Sequence, residues 1–251
     1  MKPPARRLDQ RLADEGRFES RARASAAIYA GLVTVRLPGG KTPVAKPGMR
    51  VPDAAEVIVT GKAEPFVSRG GRKLAGALDA FGLLVAGRVC LDVGASTGGF
   101  SDCLLSRGAT RVVSVDVGHG QLDPKIRNDP RVIPLERTDI RDLARDVTGG
   151  RIAFATVDVS FIPLRKVLPS IRSHLAPGAD LVALVKPQFE VGPARVGKGG
   201  IVKDGAVRAS AVTDVIAEAA RLGYEVVAGR DSDVPGRDGN VEHFLHLRWR
   251  G

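Results

Sequence analysis

Two charged residues close runs that are otherwise apolar. Asp158 ends the segment Ile152-Ala153-Phe154-Ala155-Thr156-Val157, and Lys186 ends Leu181-Val182-Ala183-Leu184-Val185. If both runs are neighbouring parallel strands, their carboxyl ends open into the crevice where α/β sheets bind ligands. A carboxylate and an ammonium meeting there can orient and accept a proton from a bound hydroxyl. The plainer reading is a buried salt bridge at the sheet edge. What stands beside the two residues decides between these readings.

Ahead of them lies Leu91-Asp92-Val93-Gly94-Ala95-Ser96-Thr97-Gly98-Gly99-Phe100, with its glycines at a turn from strand into helix. The pattern is G-x-x-x-G-G rather than the G-x-G-x-x-G that cradles a dinucleotide pyrophosphate, so a nucleoside cofactor without pyrophosphate fits better. Asp116 ends the next apolar strand, where a carboxylate can accept hydrogen bonds from ribose hydroxyls. Asp139 follows the third strand, where an acid can meet the exocyclic amino group of adenine. Together Asp92, Gly94, Ser96, Thr97, Gly98, Gly99, Phe100, Asp116 and Asp139 resemble the S-adenosylmethionine site of class I methyltransferases, and they are the expected cofactor-binding set.

The elements that must hold these residues follow from periodicity. Helical patterns over about 71–81 and 100–107 alternate with apolar runs at VCLDV, VVSVDV, RVIPLE, IAFATVD and DLVALVK, which predicts a parallel sheet covered on both faces. A helix over about 207–222 and two further strands, YEVVAGRDS and EHFLHLRW, complete the sheet with a terminal pair. The expected fold is therefore α/β: a Rossmann-like, doubly wound and mostly parallel sheet with an antiparallel terminal strand. A small α/β domain precedes it. The boundaries read as 1–60 for that first domain, 61–66 for a linker and 67–251 for the second.

In the first domain Leu8, Leu12, Ala24, Ala27 and Ile28 recur at helical spacing, with Ser20 as a candidate N-cap and Gly31 as a stop. Short strands follow at Val33 and Val35, at Val51 and at 57–59. Arg7-Leu8-Asp9, Ser20-Arg21, Ala24, Ile28, Gly31, Val33, Val35 and Lys46-Pro47 resemble the small RNA-binding fold of ribosomal small-subunit protein four. The loop Arg36-Leu37-Pro38-Gly39 departs from the Asn-Gly often found there. Arg6, Arg7, Arg11, Arg17, Arg21 and Arg23 are expected to form a phosphate-binding face rather than a merely solvated one.

Charge agrees with that partner. The 251 residues carry 38 Lys and Arg against 28 Asp and Glu, a formal charge of +10, which favours polyanions through counterion release. Cys90 and Cys103, the two cysteines, support neither a disulfide framework nor a CxxC metal site. No metal is expected. The charged N-terminal segment has no apolar core of a signal peptide, and no uncharged run approaches the roughly 18 residues of a membrane span. A cytoplasmic location is the expectation.

The chemistry is narrowed further by what is missing. DVSF is not the N/D-P-P-Y/F element of enzymes that methylate base amines, and neither cysteine is placed to attack a pyrimidine ring. A ribose 2′-hydroxyl, by contrast, needs a group to take its proton as it attacks a methyl carbon. Here SRGGRKL, LDVGASTGGF, DVGHGQLDPKIRNDPRV, DVSFI, LVKPQFEVG and GNVEHF resemble the TlyA, or hemolysin A-like, family of ribosomal RNA 2′-O-methyltransferases over nearly the whole chain. The resemblance implies a Lys-Asp-Lys-Glu tetrad shared with FtsJ-type enzymes, carried here by Lys73, Asp158, Lys186 and Glu242. It also implies S-adenosylmethionine as cofactor and cytidine riboses in rRNA of assembled 30S or 50S subunits as targets. On that basis Lys186 handles the 2′-hydroxyl proton, Asp158 and Glu242 orient it, and Lys73 acts through its like charge. Arg195 and Lys198, in a stretch too glycine-rich for regular structure and expected to be mobile, are read as further RNA phosphate contacts. A non-enzymatic ribosome-assembly factor, a membrane-lysing protein and a small-molecule methyltransferase are the rival readings.

Overall fold

Alternating and helical patterns in the first sixty residues close on one another. Strand β1 (Ala5–Arg7) leads into helix α1 (Leu8–Asp14), and helix α2 (Arg21–Tyr29) is followed by β2 (Val33–Arg36), β3 (Arg50–Pro52) and β4 (Glu56–Val59). β1 pairs with β3 and β2 with β4, both antiparallel. Leu8, Leu12, Ala24, Ala27, Ile28, Val33, Val35, Val51 and Val57 meet in one buried cluster, as their spacing predicts. Ser20 Oγ accepts from the N–H of Arg23, and Gly31 (φ 74°) turns the chain out of α2.

The second unit is built on a seven-stranded sheet. In chain order its elements are α3 (Arg69–Phe81), β5 (Val89–Val93), α4 (Gly99–Ser106), β6 (Arg111–Val115), α5 (Pro124–Arg127), β7 (Val132–Leu135), β8 (Ile152–Val157), α6 (Leu168–Arg172), β9 (Leu175–Val185), α7 (Pro187–Glu190), α8 (Gly205–Arg221), β10 (Tyr224–Asp231) and β11 (His243–Trp249). Across the sheet the order is β7-β6-β5-β8-β9-β11-β10. β5 through β9 run parallel, and β11 lies antiparallel between β9 and β10. The chain winds outward from β5 to β7 and then returns to β8 on the other side of β5, so the switch point lies between β5 and β8.

The structure, a computed structural model, describes residues 5–18, 20–29, 31–60, 65–149, 151–236 and 239–251. Its two units are Met1–Pro65 and Phe66–Gly251. Most of the segment read as a linker, 61–64, lies outside the described residues.

One apolar cluster packs Leu91, Val113, Ala155, Leu181 and Leu245 with Ile171 and Val215, and another packs Cys90, Val112, Phe154, Val182 and Phe244 with Leu74 and Leu104. These alternate residues of the same strands show that the sheet buries both faces, which is why its strands read as unbroken apolar runs. Burial pushes the thiols of Cys90 and Cys103 up to about 12, so both are inert core residues. Among the described residues no helix is long and apolar enough to cross a membrane.

The glycine-rich stretch 192–200 departs from expectation. It forms two short 3-10 turns, Pro193–Arg195 and Lys198–Gly200, over a small core of Val191, Val202 and Ala211. Asn240, buried at 1% exposure, secures it by donating from Nδ2 to the Gly200 carbonyl and accepting the Val202 N–H at Oδ1. Glycine content alone did not reveal this distant partner.

Candidate active site

The residues that end the central strands converge. β8 stops at Val157, and the N–H of Asp158 donates to Val93 O at the end of β5. β9 stops at Val185, which faces His243 in the antiparallel register, so Lys186 and Glu242 are the next residues on adjoining strand ends. Lys186 Nζ lies 2.6 Å from Asp158 Oδ1 and donates to Ser160 Oγ at 3.0 Å. Lys73, on α3, donates to Glu242 Oε2 at 2.5 Å, with both side chains largely buried. The four expected tetrad residues thus form two ion pairs at the carboxyl end of the parallel strands. Lys73 is not a bare like charge beside Lys186, as the sequence reading had it, because Glu242 answers its ammonium directly.

This corner is incompletely satisfied. Asp158 Oδ1 is close to Lys186 yet off the line of a good hydrogen bond, and Gln188 Oε1, in the one-turn helix begun by Pro187, is likewise buried without a donor. Buried acceptors usually find donors, and among the described residues these two side-chain atoms, one against Lys186 and one two residues after it in the chain, are the exceptions.

The glycine-rich turn divides into a supporting and a ligand-facing half. Asp92 is fully buried and accepts from Ser101 Oγ (2.6 Å) and Thr156 Oγ1 (3.0 Å), while Ser101 also meets Ser114 Oγ at 2.7 Å. Burial pushes the Asp92 carboxyl up to about 6 against the pull of those hydroxyls. It ties β5, β6, β8 and α4 together beneath the turn and does not face a cofactor, which corrects the sequence reading. Phe100 is also a core residue, its ring 6.3 Å from that of Phe244. Gly98 and Gly99 are buried where the chain enters α4, and a Cβ on Gly99 would strike Ser68 Oγ, so it serves the packing of α3 on α4. A Cβ on Gly94 (φ 82°) would strike the carbonyl oxygen of Asp158. That glycine lets the ends of β5 and β8 approach.

Ser96 and Thr97 are exposed at the open side of the turn. Asp116, at the end of β6, accepts the N–H groups of Ser96 and Gly118, each at 2.7 Å, and has no cation partner among the described residues. Its carboxylate keeps acceptor capacity for hydroxyls. Gln121, unremarked in the sequence, approaches Ser96 Oγ at 3.3 Å. Asp139 is engaged by Arg141, whose guanidinium holds its carboxyl below the usual carboxylate range, so any adenine contact shares it with Arg141. Exposed Ser96 and Thr97, backbone N–H groups at the start of α4 and the uncompensated Asp116 fit S-adenosylmethionine, with its ribose diol and its charged amino-acid end. Among the described residues no group of three or more His, Cys, Asp or Glu could hold a metal ion.

Sequence reasoning also missed Phe161. It is 90% exposed, adopts a left-handed φ of 65°, and sits with its ring 5.0 Å from that of Phe189. Three residues past Asp158, this aromatic side chain sits on strained backbone with only the Phe189 ring as a ring partner and most of its surface left in solvent.

A family model for FtsJ-like methyltransferases matches residues 66–249. The chain belongs to this family. It is 49% identical over 243 residues to the 16S/23S rRNA (cytidine-2′-O)-methyltransferase TlyA of Mycobacterium tuberculosis H37Rv, covering 96% of this chain and 89% of that one. It is also 39% identical to Hemolysin A of Brachyspira hyodysenteriae, over 96% of this chain and 99% of that one. A solved structure of a candidate hemolysin from Streptococcus thermophilus superposes with a TM-score of 0.75 at 40% identity, covering 98% of this chain and 89% of that one. The methyltransferase therefore uses S-adenosylmethionine on a Rossmann-like sheet, as the turn and Asp116 imply.

The arginines of the first unit are distributed otherwise than expected. Arg11 is buried, paired with Glu15 at 2.6 Å and donating to Pro52 O, so it belongs to the scaffold rather than to a phosphate-binding face. Arg17 donates to Val57 O at 2.6 Å, and Arg6 pairs with Asp53 at 3.0 Å. Arg23 is half-buried. Arg7 and Arg21 both pair with Asp9 yet remain about half exposed. In the second unit Arg195 and Lys198 are exposed and without an ion-pair partner among the described residues.

Proposed function

We propose that the protein transfers a methyl group from S-adenosylmethionine to the ribose 2′-hydroxyl of a cytidine in ribosomal RNA, on assembled 30S or 50S subunits. The observation that carries this reading is the Lys186–Asp158 pair at the carboxyl ends of β8 and β9, with Lys73–Glu242 beside it and an acceptor, Asp158 Oδ1, that has an ion-pair partner but no aligned hydrogen-bond donor. S-adenosylmethionine, when bound, supplies a methyl group on a sulfonium whose leaving group needs no protonation. What remains for the protein is to place the hydroxyl in line and manage its proton.

Lys186 Nζ is the group for that task. Asp158 and Ser160 fix its position, and Lys73, locked to Glu242, walls the same corner. The Lys186 ammonium stabilises the oxygen as it gains negative charge, and the hydroxyl proton passes to the Asp158 carboxylate held against Nζ. Phe161 offers an exposed face on which an unstacked base can lie, a common way of holding single-stranded RNA. The net charge of +10 and the unpaired Arg195 and Lys198 suit a phosphate backbone. The first unit, residues 1–60, acts in this reading as an RNA-binding domain of the ribosomal small-subunit protein four type.

Transfer of labelled methyl to purified 30S subunits, 50S subunits and naked rRNA tests the proposal, with Lys186→Ala as control. Label in ribose of subunit RNA with the native protein alone is the expected result. Label in base, or none despite measured cofactor binding, overturns it.

A further inference from the structure

The first unit contains a carboxylate in an unexpected place. Asp9, at the start of α1, has only 2% of its side chain exposed, in a segment rich in arginine. Its Oδ2 accepts from Arg7 Nη2 (2.8 Å) and Arg21 Nε (3.0 Å), and its Oδ1 from Arg7 Nε (3.0 Å) and its neighbour's N–H, that of Gln10 (2.8 Å). Its own N–H donates to Pro47 O at 3.1 Å, tying it to the Lys46-Pro47-Gly48 turn. The Arg7 guanidinium runs close over Gly48 of that turn: a Cβ there would lie 3.5 Å from it.

Both guanidiniums meet Asp9 by one edge, and among the described residues no hydrogen-bond or ion-pair partner meets the other. Arg7 and Arg21 keep 45% and 53% of their side chains exposed, in contrast to Arg11, which is spent on internal contacts. Across the β1–β3 ladder Arg7 stands directly opposite Arg50, itself exposed and unpaired among the described residues. Like charges directly opposite on neighbouring strands destabilise a ladder. A small unit that keeps such a pair beside two further exposed cations, Arg21 and Lys46, concentrates positive charge at a cost to its own stability.

We propose that Asp9 is a positioning residue that presets Arg7 and Arg21 as a two-guanidinium clamp for an RNA backbone phosphate, with Arg50 as a third cation facing it. The proposal rests on the rRNA reading above and adds to it a residue whose own charge opposes the partner. Arginine loses considerable side-chain freedom when it closes on a phosphate. Fixing two forks in advance removes that loss at the moment of binding, which is the general gain from preorganisation. The two effects of Asp9 have opposite signs. By charge alone its removal tightens binding to a polyanion; by positioning its removal weakens it.

The test measures affinity of the full-length protein for purified 30S and 50S subunits across a salt series, for native protein, Asp9→Asn, Arg7→Ala/Arg21→Ala, and the triple variant. The expected result is that Asp9→Asn binds about tenfold more weakly, although it is more positive. In the background lacking both arginines the same change causes no loss, because Asp9 acts only through them. The double variant reduces the slope of log K against log salt by about two. Arg50→Ala binds more weakly and melts no lower than native. Tighter binding by Asp9→Asn overturns the proposal, as does an equal loss in both backgrounds, which marks a merely structural role. Either result leaves the rRNA reading intact; absence of subunit binding by the native protein removes both.

Discussion

The same two strands, β9 and β11, carry a buried ionic cluster at each end, and the clusters differ in how fully they are satisfied. At the end away from the switch point, Asp180 Oδ2 accepts from Arg88 (2.7 Å), while Oδ1 lies 2.8 Å from His246 Nε2 and accepts from Arg248 at 3.2 and 3.3 Å. Burial alone pushes its carboxyl up, but these partners outweigh it and hold the group well below the usual range. At the other end, Asp158 Oδ1 has Lys186 nearby but no well-aligned donor, and Gln188 Oε1 has none. A saturated cluster holds strands together. An unsaturated one at a sheet's carboxyl end keeps capacity for something that arrives later.

The largest expected effect tests the unsaturated end. Lys186→Ala lowers turnover on subunits by about a thousandfold, with S-adenosylmethionine affinity, by calorimetry, close to native. A comparable loss of cofactor affinity moves Lys186 from proton handling to cofactor binding.

Asp180→Ala reverses the pattern. It strands His246, Arg88 and Arg248 and costs about 4 kcal/mol of stability, while turnover per folded molecule stays within about twofold. Chemical denaturation beside an activity assay separates the two effects. Because the folded-state pKa of Asp180 is lowered, its stabilisation is present above about pH 4 and is lost as pH falls through the folded value. Acid should therefore weaken the native protein in a way it does not weaken the variant.

Asp92 gives the opposite sign. With its carboxyl pushed up to about 6, it contributes stability fully below about pH 4, and that contribution is lost as pH rises through 6. The native protein should lose up to about 3 kcal/mol from this group between pH 4 and 8. Asp92→Asn, which keeps an acceptor for Thr156 or Ser101, flattens that part of the profile. Melting curves at pH 5, 6, 7 and 8 check it, and an unchanged slope in the variant assigns the pH dependence elsewhere.

The smallest effect concerns the exposed loop. Arg195→Ala/Lys198→Ala raises the Michaelis constant for subunits roughly threefold and lowers the salt slope by about two, with kcat unchanged. Equal kinetics at every salt concentration would remove both residues from the RNA contact.

Much of this was legible without coordinates. Strand-ending Asp158 and Lys186 stood out because a charge directly after an apolar run interrupts the local pattern, and Asp116 because it repeats that interruption on the far side of β5. Lys73 and Glu242 lack such a signal, and only a family resemblance singled them out. What misled was any reading that treated type and spacing as orientation. Phe100 and Asp92 sit within the glycine-rich turn, yet their side chains point into the core. Six arginines in one short segment looked alike, although Arg11 is buried and Arg7 is displayed.

The sequence by itself determined the order of elements, the two apolar faces of the sheet, the place of the cofactor turn and the sign of the surface charge, because each follows from local periodicity and composition. Tertiary structure alone decided which charges are answered. Asp180 is saturated, Asp158 is not, Lys73 is answered by Glu242, and Asp9 is shared between Arg7 and Arg21. Apart from the local Arg7–Asp9 contact, these facts depend on residues separated in the chain whose distances only the closed fold sets, and Coulombic and hydrogen-bond energies turn on those distances.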